Sequence, residues 1–187
     1  MAEGEGKTTR NIAKKTHDML MQMAHTDQLT ELLNRRGTIN TAESIQKTLY
    51  REGMNPTVSV AMLDMIGLKA LNKELREVGA DKIIASAANS MRRMIRASDT
   101  AGRWGGDEFV IVSFDTDSSG MDSLINKVLE YRPDKINYNV AYKVFEPGTD
   151  VLDAIEHVFG SLEDIKKGLP MDETGRSTGK GTVVELD

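Results

Sequence analysis

Two acidic segments far apart in the chain have the residue types for metal chemistry. The stretch TVSVAMLD ends at Asp64, and the stretch RWGGDEFVIV carries Asp107 and Glu108 directly after two glycines. Residues 57–64 are β-branched and apolar at odd and even positions, which predicts a central strand buried on both faces. Ligands of open α/β sheets bind at the carboxyl ends of such strands. Asp64 is therefore a candidate ligand-binding carboxylate.

The glycine pair Gly105 and Gly106 predicts a tight turn in a hairpin that spans about residues 99–113. Glycines adopt positive φ readily, and they leave the space above a turn free of side chains. A bulky ligand could lie against the backbone there. If this hairpin pairs beside the strand that ends at Asp64, then Asp64 and Asp107 lie on neighbouring strands at one edge of the sheet.

Converging carboxylates repel each other, and the chain already carries a formal net charge of -5. Mg²⁺ at about 2.0–2.1 Å from their oxygens would remove that cost, and it takes its other ligands from water and substrate phosphates. The pattern thus predicts a nucleoside triphosphate substrate and nucleotidyl transfer, with metals activating a hydroxyl and neutralising the leaving pyrophosphate. For Asp64 alone, capping of the following helix is an equally good interpretation.

The amino-acid composition argues against several classes of protein. The 187 residues suit one domain with a short appendage, and the absence of Cys excludes disulfides, thiolate catalysis and Cys-based zinc sites. No apolar run approaches the ~20 residues that span a bilayer. The net negative charge argues against nucleic-acid binding, because proteins that bind nucleic acids usually have a basic surface. We therefore expect a cytoplasmic protein with no membrane segment and no nucleic-acid partner.

The elements that must position these residues are predicted in the order α-β-α-α-β-β-α-β-α-β. Predicted helices lie near residues 35–51, 67–77, 80–95, 121–131 and 150–167, and predicted strands near 57–64, 99–113 (a hairpin), 136–144 and in the final GTVVELD. This order implies an α+β fold, an α/β sandwich with a central mixed sheet, an antiparallel hairpin and flanking helices. Residues 9–24 predict a further helix, either a coiled-coil stalk or a helix packed on its own domain.

Several motifs of the sequence resemble those of a known family. RWGGDEF is similar to the signature of the GGDEF family of diguanylate cyclases. Further motifs resemble those of the family in the same order: DQLTELLNRR (27–36), DMIGLKALN (64–72), GAD (79–81) and RASD (96–99). The resemblance covers about residues 25–145 well and the last 40 residues poorly. It implies a palm-like nucleotidyl-cyclase domain over 25–187, preceded by a polar tail and helical stalk over 1–24.

The resemblance implies roles for the acidic residues. Asp64, Asp107, Glu108 and the backbone carbonyl of Met65 would bind Mg²⁺, or Mn²⁺ in its place. Asp107 would also be the general base for the 3′-hydroxyl of GTP, and Lys69 would stabilise charge on the phosphates. Taken alone, Lys69 is more typical of a solvated helix surface than of a phosphate contact.

The resemblance also assigns residues that bind nucleotide. Asn72 and Asp81 would read the guanine edge, because an Asp that accepts from N1–H and N2–H has no match in adenine. The glycine pair before Asp107 would line the same substrate site. Arg96 and Asp99 would bind the cyclic product as an inhibitory site, although a local ion pair explains them as well.

The implied activity is that of a diguanylate cyclase, a homodimer that joins two GTP into cyclic di-GMP, releases pyrophosphate and is inhibited by its product. Four residues depart from the family pattern: Ile66, Leu68, Lys73 and Glu77. They favour the alternative of a weak or inactive domain that senses cyclic di-GMP or GTP, or that only dimerises. A C-terminal basic residue should also meet the phosphates, and the candidates are Lys166, Lys167, Arg176 and Lys180.

Overall fold

The computed structural model describes residues 15–16, 23–68, 77–134, 136–168 and 181–186. Its helices are α1 (Arg35–Arg51), α2 (Glu77–Met94), α3 (Ser118–Glu130) and α4 (Val151–Gly168). Its strands are β1 (Leu33–Asn34), β2 (Val58–Ile66), β3 (Thr100–Gly105), β4 (Glu108–Phe114), β5 (Asn137–Phe145) and β6 (Val183–Glu185). Most of the predicted helix over 67–77 and most of the one over 9–24 lie outside the described residues.

The strands form one mixed sheet in the order β1-β3-β4-β2-β5-β6. The outer pairs β1–β3 and β5–β6 are parallel, and the three inner pairs are antiparallel. β3 and β4 are the predicted hairpin, and β4 lies directly beside β2. The predicted mixed sheet with an antiparallel hairpin and flanking helices is therefore confirmed.

β2 is the central strand, and it is buried on both faces as its apolar composition predicts. Successive side chains of a strand point to opposite faces of the sheet. Met62 belongs to an apolar cluster with residues of α1 and α4, whereas Leu63 belongs to a second cluster with residues of α2 and α3. The result is a three-layer arrangement, and the carboxyl end of β2 lies between two helical layers.

The start of α1 is tied to the segment before it. The Asn34 side chain accepts a hydrogen bond from Gly37 N–H at 2.8 Å, and its amide donates to Ala24 C=O at 2.9 Å. A Cβ at Gly37 would overlap the carbonyl oxygen of His25, so the chain passes too close for any other residue. Part of the motif DQLTELLNRR therefore has an architectural role.

Gly37→Ala is expected to lower the free energy of unfolding by about 1–3 kcal/mol, because backbone must move to admit the methyl group. The matched control is Gly160→Ala in α4, where an added Cβ meets nothing within 4 Å. That change should raise stability by about 0.5–1 kcal/mol through helix propensity alone. Urea denaturation of both variants measures the difference, and equal effects of the same sign would contradict the close approach.

Apart from the predicted helix over 67–77, which nothing tests, the observed elements match the predicted order with one addition and small shifts. β2 ends at Ile66 rather than at Asp64, so Asp64 lies near the end of the strand and not at its last residue. The two-residue strand β1 was not predicted, and it pairs with β3 through Leu33 and Asn34. No helix among the described residues has the length and apolar character needed to cross a bilayer.

Candidate metal and nucleotide site

The strand register brings polar residues into one row at the edge of the sheet. Asp64 is directly opposite Glu108 on β4 and directly opposite Asn139 on β5. Directly paired residues share a face of the sheet. The face is the one that α1 and α4 cover, because Asp64 has the same parity as Met62. The paired acids are therefore Asp64 and Glu108, whereas Asp107 lies in the turn before β4.

The turn between β3 and β4 has the open geometry that its two glycines predict. Gly106 has φ of 52°, in the left-handed region that favours glycine. A Cβ added at Gly105 or at Gly106 would meet nothing within 4 Å. The N–H of Met65 donates to the carbonyl of Asp107 at 3.1 Å, which ties the turn to the end of β2. A ligand can therefore approach this backbone without meeting side chains.

Arg103 stabilises the turn between β3 and β4, a role that the sequence did not reveal. Its Nε donates to Gly106 C=O at 2.8 Å, and its Nη1 donates to the two carboxylate oxygens of Asp27 at 3.2 and 3.1 Å. Burial alone would raise the pKa of Asp27, but the hydrogen bonds from Thr30 and the charge of Arg103 lower it. The N-terminal motif and the glycine turn are thus one connected structure.

Lys166, in the last turns of α4, reaches Asp64 and Glu108, which we call the acidic row. Its Nζ lies 2.8 Å from Glu108 Oε1, 3.3 Å from Asp64 Oδ1 and 2.9 Å from Glu163 Oε1. The neighbouring Lys167 pairs instead with the exposed Asp164 at 3.0 Å. Of the two lysines on this helix that were candidates for phosphate contact, Lys166 is the one that faces the site.

The protonation equilibria show how strongly this site attracts positive charge. Burial, together with the charges of Asp107 and Glu108, raises the pKa of Asp64 to about 6, even though Lys166 acts in the opposite direction. Burial would lower the pKa of Lys166, but hydrogen bonds to Glu108 and Glu163 and the charge of Asp64 raise it. A carboxylate this hard to ionise gains from any cation that comes close.

The raised pKa of Asp64 predicts that the stability of the folded state depends on pH. Between about pH 4 and pH 6 the folded state binds this proton and the unfolded state does not, so stability falls as pH rises through that window. Asp64→Asn removes the effect. Without divalent metal, we expect the unfolding free energy of Asp64→Asn relative to wild type to increase by about 1–3 kcal/mol across the window. A difference that stays constant from pH 4 to pH 7 would contradict the burial of this charge.

The donor chemistry of the row fits a hard divalent cation. Asp64 and Glu108 offer carboxylate oxygens, the ligands that Mg²⁺ prefers, and their side chains are only 13% and 18% exposed. Among the described residues, no group of three or more His, Cys, Asp or Glu side chains is already arranged to hold a metal. The Lys166 ammonium lies between the two carboxylates, so a metal would have to replace it there.

The other predicted residues fall into three groups. Lys69 and Asn72 lie outside the described residues, and Asp81 is exposed near the start of α2. Arg96 and Asp99 lie just before β3, where the N–H of Arg96 donates to Asp99 Oδ2 at 2.8 Å. Their side chains form no ion pair with each other, contrary to the alternative interpretation of this motif.

Arg96 and Asp99 line a surface cavity of about 320 Å³ that also contains Asp117, Ser119 and Lys127. A second cavity beside it includes Arg96 and Thr57, the residue before β2. This is the opposite end of β2 from Asp64, and about six residues of strand, roughly 20 Å, separate the two ends. The acidic row and the Arg96 cavity are therefore distinct places on one sheet.

Part of this chain is similar to proteins of one known family. Residues 24–143 match the family model described as "Diguanylate cyclase, GGDEF domain". The chain is 31% identical over 119 residues to the signaling protein YkoW of Bacillus subtilis, a match that covers 62% of this chain and 14% of YkoW. It is 32% identical over 99 residues to the response regulator PleD of Caulobacter vibrioides, which covers 53% of this chain and 21% of PleD. The chain therefore spans a minor part of the length of these relatives.

Solved structures have the same fold. The coiled coil and GGDEF domain of DgcB from Caulobacter crescentus, solved with c-di-GMP, aligns with a TM-score of 0.78 and 18% identity, covering 98% of this chain and 96% of DgcB. A microbial GGDEF domain, in a structure describing its interaction with cyclic di-GMP, aligns with a TM-score of 0.71 and 26% identity. That alignment covers 89% of this chain and 99% of the microbial domain.

Proposed function

The chain belongs to the GGDEF family of diguanylate cyclases, as the sequence motifs predicted, and we propose that it condenses two molecules of GTP into cyclic di-GMP. The observation that supports this proposal is the pair of partly buried carboxylates, Asp64 and Glu108, near the end of β2 and beside a glycine turn open to a ligand. The domain organisation stays part of the proposal, with a tail and stalk over 1–24 and the cyclase domain over 25–187.

The proposed chemistry gives the acids two roles, which are binding of the cation and acceptance of a proton. Asp107 accepts the proton of the 3′-hydroxyl of one GTP, whose oxygen then attacks the α-phosphorus of the other. The bond from that phosphorus to the leaving pyrophosphate breaks, and a second such step closes the ring. Asp64, Asp107, Glu108 and the carbonyl of Met65 would hold Mg²⁺ or Mn²⁺. Held by these residues, the cation would supply polarisation of the phosphates and neutralise charge on the leaving group.

Lys166 has a proposed role that follows from its present contacts. In this structure its ammonium neutralises Asp64 and Glu108. With a cation held by the carboxylates, the ammonium would become available to the phosphates. Glu163, one turn earlier on α4, pairs with Lys166 at 2.9 Å and would keep it at the site. Lys69 is proposed to contact the same phosphates, and Asn72 and Asp81 to bind guanine.

The lysine pair on α4 gives a matched test. Lys166→Ala is expected to raise KM for GTP by about 10- to 100-fold, the range for losing a hydrogen bond to a charged group. Lys167→Ala should change KM by less than about twofold, because it removes only an exposed ion pair. Steady-state release of pyrophosphate measures both. A larger effect from Lys167 than from Lys166 would contradict the assignment.

Closing the ring requires two GTP-loaded domains face to face, so we propose a homodimer as the active form. Residues 9–24 would be its dimerising stalk. The alignment with a coiled coil and GGDEF domain across 98% of this chain supports a stalk at this place. A protein that uses GTP in this way would act in the cytoplasm. Specific activity should therefore rise with protein concentration, and it should fall on removal of residues 1–24.

The proposal is tested by incubating the protein with GTP and Mg²⁺ and separating the products by chromatography. Cyclic di-GMP and two equivalents of pyrophosphate are expected, with no dinucleotide from ATP. The absence of any dinucleotide at concentrations where the protein is dimeric would rule out the cyclase.

A second candidate function is a non-catalytic sensor of cyclic di-GMP or GTP. It is favoured by Lys166, which lies between Asp64 and Glu108, and by the cavity lined by Arg96 and Asp99. The cavity is also where product inhibition of a cyclase would act. Calorimetry with cyclic di-GMP should show binding that Arg96→Ala weakens. Binding without turnover would identify a sensor, and unchanged affinity in Arg96→Ala would exclude this cavity.

A further inference from the structure

The acidic row at the end of β2 has a third member that is not acidic. Asn139 on β5 is the direct register partner of Asp64, on the side away from Glu108. Directly paired residues on antiparallel strands have Cβ atoms about 4.5–5.5 Å apart and side chains on one face. Glu108, Asp64 and Asn139 therefore form a line of oxygen-bearing side chains across three adjacent strands.

The Asn139 side chain is poorly explained as part of the apolar core. The residue is 1% exposed, and its Oδ1 has no hydrogen-bond partner among the described residues. A buried acceptor without a donor destabilises the fold, so native structures rarely keep one without a use for it. Lys166 donates to Glu108 and approaches Asp64, but it makes no hydrogen bond to Oδ1 of Asn139. Asn139 is thus the member of the row whose oxygen remains available.

We propose that Asn139 is a further oxygen donor of the divalent-cation site, acting on the cation directly or through one of its bound waters. This inference rests on the proposed function, since it concerns the same cation. Amide oxygens, like carboxylates, suit hard divalent cations. The role would explain why a polar residue occupies this position between the buried residues Tyr138 and Val140 on β5.

The test measures Mn²⁺ binding to the full chain without nucleotide, from the electron paramagnetic resonance signal of free Mn²⁺. Asn139→Leu, which fills the same space without an oxygen, should weaken binding by about 10- to 100-fold, as loss of a donor to a metal or its ligands does. Asn139→Asp should tighten binding instead. A change in opposite directions separates an oxygen donor from a residue that merely fills space.

Two control variants repeat these changes at other positions. One removes a buried oxygen and the other adds a negative charge, so each shows whether that change alone alters Mn²⁺ affinity. Thr100→Val removes a comparable buried oxygen, Oγ1 of Thr100, which also lacks a partner among the described residues but lies outside the row. Asn137→Asp adds the same negative charge two residues earlier on the same face of β5. Neither should change Mn²⁺ affinity as much as the corresponding change at Asn139.

The outcomes distinguish this inference from the proposed function. Loss of Mn²⁺ binding in Asp64→Asn, with unchanged affinity in Asn139→Leu, overturns the role of Asn139 and leaves the cation site standing. Unchanged affinity in Asp64→Asn overturns both. If Asn139→Leu does not fold, Asn139→Asp decides alone: tighter binding than in Asn137→Asp supports the role, and equal or weaker binding overturns it.

Discussion

Asp107→Asn is expected to reduce cyclic di-GMP formation by at least about 10³-fold, the largest loss of activity expected from any single substitution in this chain. A general base contributes about 10²–10⁴-fold, and the same substitution removes one charge from the cation site. The fold should survive, because the turn is tied to Met65 by the backbone carbonyl of Asp107 and not by its side chain. Initial rates of product formation, measured by chromatography, provide the number.

The control for this substitution is Asp164→Asn on α4, which removes the same charge from an exposed position that pairs only with Lys167 among the described residues. It should leave the rate within about twofold, since exposed ion pairs contribute about 0–1 kcal/mol. Asp107→Asn with more than a tenth of the wild-type rate would show that the base lies elsewhere.

Arg103→Ala is expected to lower the free energy of unfolding by about 2–3 kcal/mol. The substitution removes hydrogen bonds to Gly106 and Asp27, and hydrogen bonds to charged groups contribute about 1.5–3 kcal/mol. The Arg103 and Asp27 side chains are only 16% and 23% exposed, so solvent replaces these contacts poorly. Activity should also fall at temperatures where the variant is folded, because the turn that carries Asp107 loses its support.

The matched control is Lys47→Ala, which removes an ion pair between Lys47 and Glu43 whose side chains are 63% and 33% exposed. Its cost should stay below about 1 kcal/mol. Arg103→Lys should recover only part of the loss, because one ammonium cannot contact the Gly106 carbonyl and the Asp27 carboxylate together, as the guanidinium does through Nε and Nη1. Equal urea midpoints for wild type and Arg103→Ala would contradict the structural role of this arginine.

The main elements could be predicted from the sequence because their signals are local. The apolar run before Asp64 and the glycine pair in the hairpin each specify a structure from a few neighbouring residues. β1 escaped prediction because two residues, Leu33 and Asn34, carry no periodic pattern. Their strand conformation comes from pairing with β3, a contact between segments about 69 residues apart.

The acidic residues of the candidate site could be predicted from the sequence. The residues that contact or support them could not. Asp64 and Asp107 stand out by position, whereas the role of Arg103 needs Asp27, 76 residues earlier, to be brought beside it. Which lysine of α4 faces the acids depends on the rotation of a helix whose C-terminal sequence departs from the family pattern. Asn139 gives no sequence signal, because its importance comes from the register of β5 against β2.

Crystals grown with Mn²⁺ and a non-hydrolysable GTP analogue would show whether the acids share a cation, because anomalous scattering locates the metal. We expect one Mn²⁺ within bonding distance of the Asp64 carboxylate and of an acid from the turn, Asp107 or Glu108. Nucleotide phosphates should complete its ligands, with Lys166 moved onto them. A nucleotide bound elsewhere, with Lys166 still paired to Asp64 and no metal between the acids, would contradict the proposed cation site.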